Sequence, residues 1–247
     1  MRLKDKVAIV TGGGQGIGKG IALKFAEEGA DLLIFEMNEA TAQETTREIQ
    51  ALERKAVAVI GSVTQQDDVD RMVGTCLMEF GRIDILVNNA GIDRPATLLK
   101  YSEEQWDQVM EVNLKGVFRC TQAVAQEMAK RRYGKIINIS SVAGKMGFWG
   151  ETSYSPAKSG VIGFTRVSAL ELAKKGINAN AICPGLIDTA LSHIIPESIR
   201  QKMASEIPKG RAGTPRDIGN LAAFLVSDEA DYITGQSISC DGGWIMY

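Results

Sequence analysis

The chain has 247 residues, 45% of them hydrophobic and 23% charged, with 28 basic against 30 acidic side chains and a formal charge of −2. That balance excludes the strongly basic surface of a nucleic-acid binder, and the apolar share excludes a disordered chain. The four cysteines are scattered and form no CxxC pair, and the single histidine, His193, has no supporting motif. No Cys/His metal site and no Ser-His-Asp triad can be assembled from them, so no metal is expected and the cysteines read as small buried residues of a reducing compartment. The 26 glycines are the anomaly. Glycine weakens helices and strands, so an excess should collect where backbone geometry or a close ligand demands it.

In chain order, short apolar runs alternate with amphipathic segments. Lys6–Thr11, Asp31–Glu36, Ala56–Ile60, Ile83–Val87, Lys135–Ser140, Ile177–Cys183 and Gln236–Cys240 read as buried strands. Helical patterns fall near 17–29, 39–54, 65–80, 102–132, 154–175 and 215–228. Ser102 followed by Gln105 is a capping-box pattern, and Thr214-Pro215 puts a cap before a helix-starting proline. Continuously apolar strands separated by helices predict an α/β fold: one doubly wound domain with a seven-stranded parallel sheet covered on both faces. The stretch 185–213 breaks the rhythm, with two prolines and only weak helical periodicity at 197–206. Insertions after a strand end lie near the ligand crevice of such a fold, so it is expected to be a mobile substrate-covering segment. No secretory pattern and no run of about 18 apolar residues is present, so a cytoplasmic protein is expected.

The first strand leads into Thr11-Gly12-Gly13-Gly14-Gln15-Gly16-Ile17-Gly18 and then a helix. Such a loop lets the backbone approach a pyrophosphate, which the helix N-terminus then holds with its free N–H groups. Glu36 ends the second strand, where an acid accepts hydrogen bonds from an adenosine ribose. The same carboxylate repels a 2′-phosphate, so NAD is expected over NADP.

Farther along stand Asn88-Asn89-Ala90-Gly91, Asn113 within a helix, Ser140-Ser141, and Tyr154 followed four residues later by Lys158. That spacing puts Tyr154 and Lys158 on one helical face. A free phenol titrates near 10, and a neighbouring ammonium should bring it toward neutral pH as a proton donor and acceptor.

Together TGGGQGIG, NNAG, Asn113, Ser141, YSPAK and Pro184-Gly185 make the chain resemble the short-chain dehydrogenase/reductase family along its whole length, especially the branch of 3-oxoacyl-acyl-carrier-protein reductases and small alcohol dehydrogenases. The resemblance implies a Rossmann-type sheet of order 3-2-1-4-5-6-7 and a homotetramer. It implies Tyr154 as general acid/base, Ser141 on the substrate oxygen, Lys158 on the nicotinamide ribose, and Asn113 supporting a water relay. Cofactor contacts are then expected from Gly12, Gln15, Gly16, Ile17, Gly18, Glu36, Asn89, Ala90, Gly91, Tyr154, Lys158, Pro184, Gly185, Ile187 and Thr189. Where the family usually has an Asp-Val pair after the third strand, this chain has Ser62-Val63. The adenine contact is therefore expected from Ser62, from backbone, or not at all. Ser140 is expected to be a structural neighbour of Ser141.

Glu151 and Asp93 are candidate polar contacts to substrate, with Met146, Phe148 and Trp149 as an apolar flank. Acids at the reacting centre suit a hydroxylated or cationic substrate better than a carboxylate. The expected activity is an NAD-dependent secondary-alcohol dehydrogenase acting on a small molecule. The alternative is a 3-oxoacyl-acyl-carrier-protein reductase, a branch that usually takes NADPH; Arg131-Arg132 and Lys174-Lys175 could receive the acidic carrier protein, although helix C-termini favour cations anyway. A dinucleotide sensor without turnover is the alternative of another class, disfavoured because Tyr154 and Lys158 are both present. An apolar helix stretch, Val161–Leu172, and the tail Trp244–Tyr247 support self-association.

Overall fold

Residues 1–246 are described by a computed structural model. The strands are β1 (Val7–Thr11), β2 (Asp31–Glu36), β3 (Ala56–Ile60), β4 (Ile85–Asn88), β5 (Gly134–Ile139), β6 (Ile177–Pro184) and β7 (Ser237–Cys240). Among the described residues they form one all-parallel sheet in the order β3-β2-β1-β4-β5-β6-β7. Their side chains alternate between two cores. Ala8, Val10, Leu32, Ile34, Ile85 and Val87 face one, with Ile21 and Phe25 of α1 (Gly16–Glu27) and Ile218 of α9 (Pro215–Leu225). Ile9, Leu33, Phe35 and Leu86 face the other, with Val69 and Met72 of α3 (Gln66–Phe80) and Val124 of α5 (Gly116–Arg131). The two-residue strand period thus feeds both faces, and each large side chain withdrawn from water contributes about 1.5–3 kcal/mol.

α2 (Glu39–Ala51) is capped by Asn38. Both expected capping boxes form, Ser102 with Gln105 at the start of α4 (Glu103–Met110) and Thr214 with Asp217 at the start of α9. The single long helix expected over 102–132 is instead divided: α4 and α5 are joined by a π-helical turn, Glu111–Lys115. A short α6 (Ala143–Met146) and the long α7 (Tyr154–Leu172) follow β5. Within 185–213 the chain forms a single 3-10 turn, Ser192–Ile194, and α8 (Glu197–Glu206), which coincides with the weak periodicity read there.

The amino-terminal end of the sheet is locked by one acid. Asp84 is fully buried and accepts from Val7 N at 2.9 Å, from Arg82 Nε and Nη2 at 3.0 and 2.7 Å, and from Arg131 Nη1 at 3.0 Å. β1 has β2 on one side and β4 on the other, so the connection direction reverses between them. The crevice for a ligand opens at the carboxyl ends of these strands.

Candidate active site

The glycine loop is stitched to the end of β4. Thr11 Oγ1 accepts from the backbone N–H groups of Asn89 and Ala90 at 3.0 and 3.1 Å, while Asn89 Nδ2 donates to the carbonyls of Thr11 and Gly12 at 3.0 and 2.9 Å. Both Asn89 Nδ2 protons are therefore spent on holding the loop. Gly12 has φ +62°, and a Cβ there would come within 2.9 Å of Ala90 Cα. At Gly18 a Cβ would overlap the Gly12 carbonyl and reach 2.5 Å from the Asn89 amide. These glycines are required by the fold of the cradle itself. Gln15 occupies the N-cap of α1 without a capping side-chain bond, and no acid sits in the first turn. The N–H groups of that turn are left for an anion, so a pyrophosphate fits.

Glu36 is held at the rim by backbone. Its Oε1 accepts from Met37 N at 2.8 Å and Asn38 N at 3.2 Å, and Oε2 accepts from Gly14 N at 3.3 Å. Ser62 N donates to Asp68 at 2.9 Å, and the Ser62 hydroxyl pairs with that of Thr64. Val63 packs against Gly116, where a Cβ would be 2.7 Å from its side chain. On the far side of the crevice, Gly185 N donates to Cys240 O at 3.2 Å and Ile187 is bridged to Gly213. The side chain of Thr189 lies over Gly16 at about 3.5 Å from where a Cβ would stand. Ile17 lies in the first turn of α1 and packs on the core, Ala90 and Gly91 directly follow β4, and Pro184 ends β6.

Tyr154 opens α7 on a loop pinned from two sides. Ala96 N donates to Gly150 O at 2.8 Å, Thr152 Oγ1 donates to Ala96 O at 2.9 Å, and the hydroxyls of Tyr101 and Ser153 meet at 2.5 Å. Lys158 is 4% exposed, its ammonium donates to Ile139 O at 2.8 Å, and it lies 5.5 Å from the centre of the Tyr154 ring. Burial lowers its pKa to about 8. Ser141 Oγ accepts from Ala143 N at 3.1 Å. Asn113, fully buried in the π turn, uses both ends of its amide on one residue: Oδ1 accepts from Ile92 N and Nδ2 donates to Ile92 O, both at 2.8 Å. One Nδ2 proton is not used in these bonds, and the main chain of a π turn, where a helix frees backbone groups, can also contact a water.

One expectation is reversed. The Tyr154 phenol is held above its ordinary range, chiefly by burial and then by the charges of Glu151 and Asp93, with the Ser141 hydroxyl acting the other way. Burial disfavours the phenolate, and the lysine ammonium 5.5 Å from the ring centre does not overcome it. The two acids are shifted as well. Burial, then Asp93, pushes Glu151 up to about 7, and burial raises Asp93. An isolated bridge between Ala96 and Glu151 brings their two loops together. Phe148 stacks on Trp244 with ring centres 5.4 Å apart, so the apolar wall includes a tail residue not foreseen as part of it. Trp149 is 91% exposed and Met146 half exposed. Tyr247 of the tail lies outside the described residues.

The basic pairs are not at the site. Arg131 is committed to Asp84, Arg132 donates to Lys174 O at 3.0 Å, and both pairs precede strand starts, at the opposite end of the sheet from the crevice. His193 is exposed and pairs with Asp188 at 2.7 Å. Thr11 was not anticipated; a hydroxyl closing the first strand ahead of a glycine loop is the signal that could have revealed it.

A glycine cradle on a doubly wound parallel sheet, with serine, tyrosine and lysine at its carboxyl edge, defines an oxidoreductase of the nicotinamide-dinucleotide class. The family model described as Enoyl-(Acyl carrier protein) reductase matches residues 12–245. The chain is 44% identical to a 3-oxoacyl-[acyl-carrier-protein] reductase of Thermotoga maritima, with all of both chains covered. It is 42% identical to the (2S)-[(R)-hydroxy(phenyl)methyl]succinyl-CoA dehydrogenase subunit BbsD of Thauera aromatica, over 100% of this chain and 99% of that one. A crystal structure described as a short-chain alcohol dehydrogenase from Sinorhizobium meliloti 1021 superposes with a TM-score of 0.94 at 37% identity, covering 98% of this chain and 97% of that one. The chain belongs to the short-chain dehydrogenase/reductase family and is an oxidoreductase acting on CH–OH groups. Among the described residues no helix is long and apolar enough to cross a membrane.

Proposed function

We propose that the protein interconverts a ketone and a secondary alcohol of a small hydroxylated molecule, using NAD(H). The observation that carries this is the Tyr154–Lys158 pair beside Ser141, with the lysine pinned by the Ile139 carbonyl. A nicotinamide dinucleotide seated against the glycine cradle supplies or accepts the hydride. The Ser141 hydroxyl donates to the substrate oxygen, and the Tyr154 O–H delivers the proton to it in reduction and takes it back in oxidation. Lys158, with two ammonium protons left after Ile139, holds the nicotinamide ribose. A phenol kept protonated across neutral pH is the form that protonates a carbonyl. Reduction should therefore proceed at neutral pH while alcohol oxidation rises into the alkaline range. Gly12, Gly16, Gly18, Glu36, Gly185 and Thr189 line the cofactor, and residues 185–213 of this single domain cover the substrate. Glu151 and Asp93 beside the phenol favour a hydroxyl-bearing substrate over a carboxylate.

A second reading, reduction of a 3-oxoacyl thioester, is favoured by the names of the full-length relatives. A panel of ketones, sugars and acyl thioesters assayed with NADH and NADPH separates the two. Tyr154→Phe should lower turnover by about 10²–10⁴; near-normal turnover would sink the assignment. The reading includes a cytoplasmic homotetramer. Supporting self-association, a groove of about 890 Å³ lined by Leu114, Phe118 and Phe164 runs between α4, α5 and α7, and Arg119, paired with Glu111 of its lining, leaves one buried nitrogen without a partner among the described residues.

A further inference from the structure

The end of β5 and the first turns of α7 meet at a single peptide. Ser140 Oγ donates to the carbonyl oxygen of Lys158 at 2.8 Å, and the Lys158 ammonium donates to the carbonyl of the preceding strand residue, Ile139, also at 2.8 Å. From α6, Gly144 presses on the same peptide: a Cβ there would lie 2.7 and 2.8 Å from the Lys158 carbonyl carbon and oxygen and 2.9 Å from Ser159 N. The Ser159 hydroxyl closes the arrangement by donating to Gly144 O at 2.7 Å. Farther along both elements, Asn138 Nδ2 donates to Thr165 Oγ1 at 2.9 Å. Asn138 of β5 and Ser140, one residue past its end, lie on the same side by the two-residue period, and 158 and 165 share a face of α7 across two turns. Ser140 is 2% exposed, so water does not compete for its hydroxyl.

We infer that Ser140 and Gly144 are positioning residues that fix the Lys158 peptide, and through it the ammonium, relative to the Tyr154 phenol. This rests on the roles given above to Tyr154 and Lys158. A lysine stem is long and flexible; here its backbone end and its charged end are tied to consecutive strand residues, so the span between them is set. Ser140 thus does more than satisfy a hydroxyl at a strand end. Gly144 cannot be replaced without wedging backbone from backbone. The strand end is itself steady, since Ser140 N donates to Ile182 O at 2.8 Å and Val142 N to Pro184 O at 3.0 Å. The ionisable groups around the pair are Glu151 on the loop before α7 and Asp93 after β4, facing the phenol, and Cys183 on β6, facing the ammonium, with Lys145 of α6 near that thiol.

The test compares Ser140→Ala, Ser140→Thr, Gly144→Ala and Tyr154→Phe with the parent protein. Three readouts are taken: kcat and KM for a ketone, the pH profile of kcat/KM, and the Kd of NADH by fluorescence titration without substrate. Ser140→Ala and Gly144→Ala should lower kcat about tenfold with the ketone KM little changed, as expected for a displaced catalytic group. The phenol limb should move up by about half a pH unit because the ammonium is less well placed. NADH binding should weaken by about threefold, roughly one weakened hydrogen bond. Ser140→Thr, which keeps the hydroxyl, should recover most of the loss. Lower thermal stability with an unmoved profile and unmoved NADH Kd would overturn the inference. If Ser140→Ala does not fold, Thr165→Val carries the test: a smaller shift in the same direction supports it, and no shift overturns it. Normal turnover by Tyr154→Phe would instead refute the acid/base reading. An inactive Tyr154→Phe beside a fully normal Ser140→Ala would refute the positioning role alone.

Discussion

Cofactor selectivity should reside in one carboxylate whose position is set by backbone. Glu36 is fixed by three main-chain N–H groups, so it cannot swing away from a ribose placed over Gly14. A 2′-phosphate there would stand about 4 Å from it. Glu36 is half-buried, so an effective dielectric of about 40 is taken, between the near-surface and bulk-water values, giving about 2 kcal/mol per pair of unit charges. With a phosphate charge near −1.5 the repulsion is about 3 kcal/mol, or about a hundredfold in affinity. The parent protein should therefore favour NADH over NADPH by about two decades in kcat/KM. Glu36→Gln keeps an acceptor oxygen for the backbone donors and removes the charge, and should bring the ratio to within about tenfold of unity. Salt offers an independent check, because the screening length falls from about 10 Å at 0.1 M to about 3 Å at 1 M, and the parent ratio should shrink accordingly. Steady-state kinetics with both cofactors at both salt concentrations decide the matter. Equal or better efficiency with NADPH, or a ratio indifferent to Glu36→Gln, would refute the electrostatic argument.

Asp84→Ala leaves two guanidinium groups and the Val7 N–H without their shared acceptor. Because both arginines remain partly hydrated, the loss should fall at the low end of a broken buried pair, about 3 kcal/mol, or about 6–12 °C in Tm by calorimetry. A drop of under about 2 °C would argue against the lock. Glu151 has a folded pKa of about 7 against the usual 4.5. Its protonated form is favoured by folding, a stabilisation fully present below pH 4.5 and lost as pH rises through 7. Glu151→Gln should accordingly gain Tm over the parent between those values and show no gain below them; a constant difference contradicts the shift. Phe118→Asp puts a charge into the groove beside Leu114 and Phe164, and should reduce the assembly mass in sedimentation. A parent protein already monomeric would remove the interface.

The sheet was readable because its strands are apolar on both faces and separated by capped helices, and six of the seven differ from expectation by one residue or less at each end. β4 is the exception, starting two residues later than read, although the Asp84 main chain already bonds Val7 and Lys135 on either side. The π turn was not readable, since one extra residue in a helical turn leaves the amphipathic pattern of 102–132 intact. The glycine cradle and the Tyr154–Lys158 face followed from spacing. The upward shift of the phenol did not, because it depends on burial and on Asp93, sixty-one positions away in sequence. Nor did the commitment of Asn89 and Asn113 to backbone, which only the packed loops reveal.

The Thr11–Asn89 stitch has a thermodynamic consequence. Four hydrogen bonds join the two loops under the dinucleotide within the chain itself, so the floor of the crevice is assembled before anything docks on it. If residues 185–213 cover the substrate as proposed, the ordering entropy of binding falls on them instead. Amides of the floor should resist hydrogen exchange equally with and without ligand, whereas amides of 185–213 should gain protection if that segment closes as proposed.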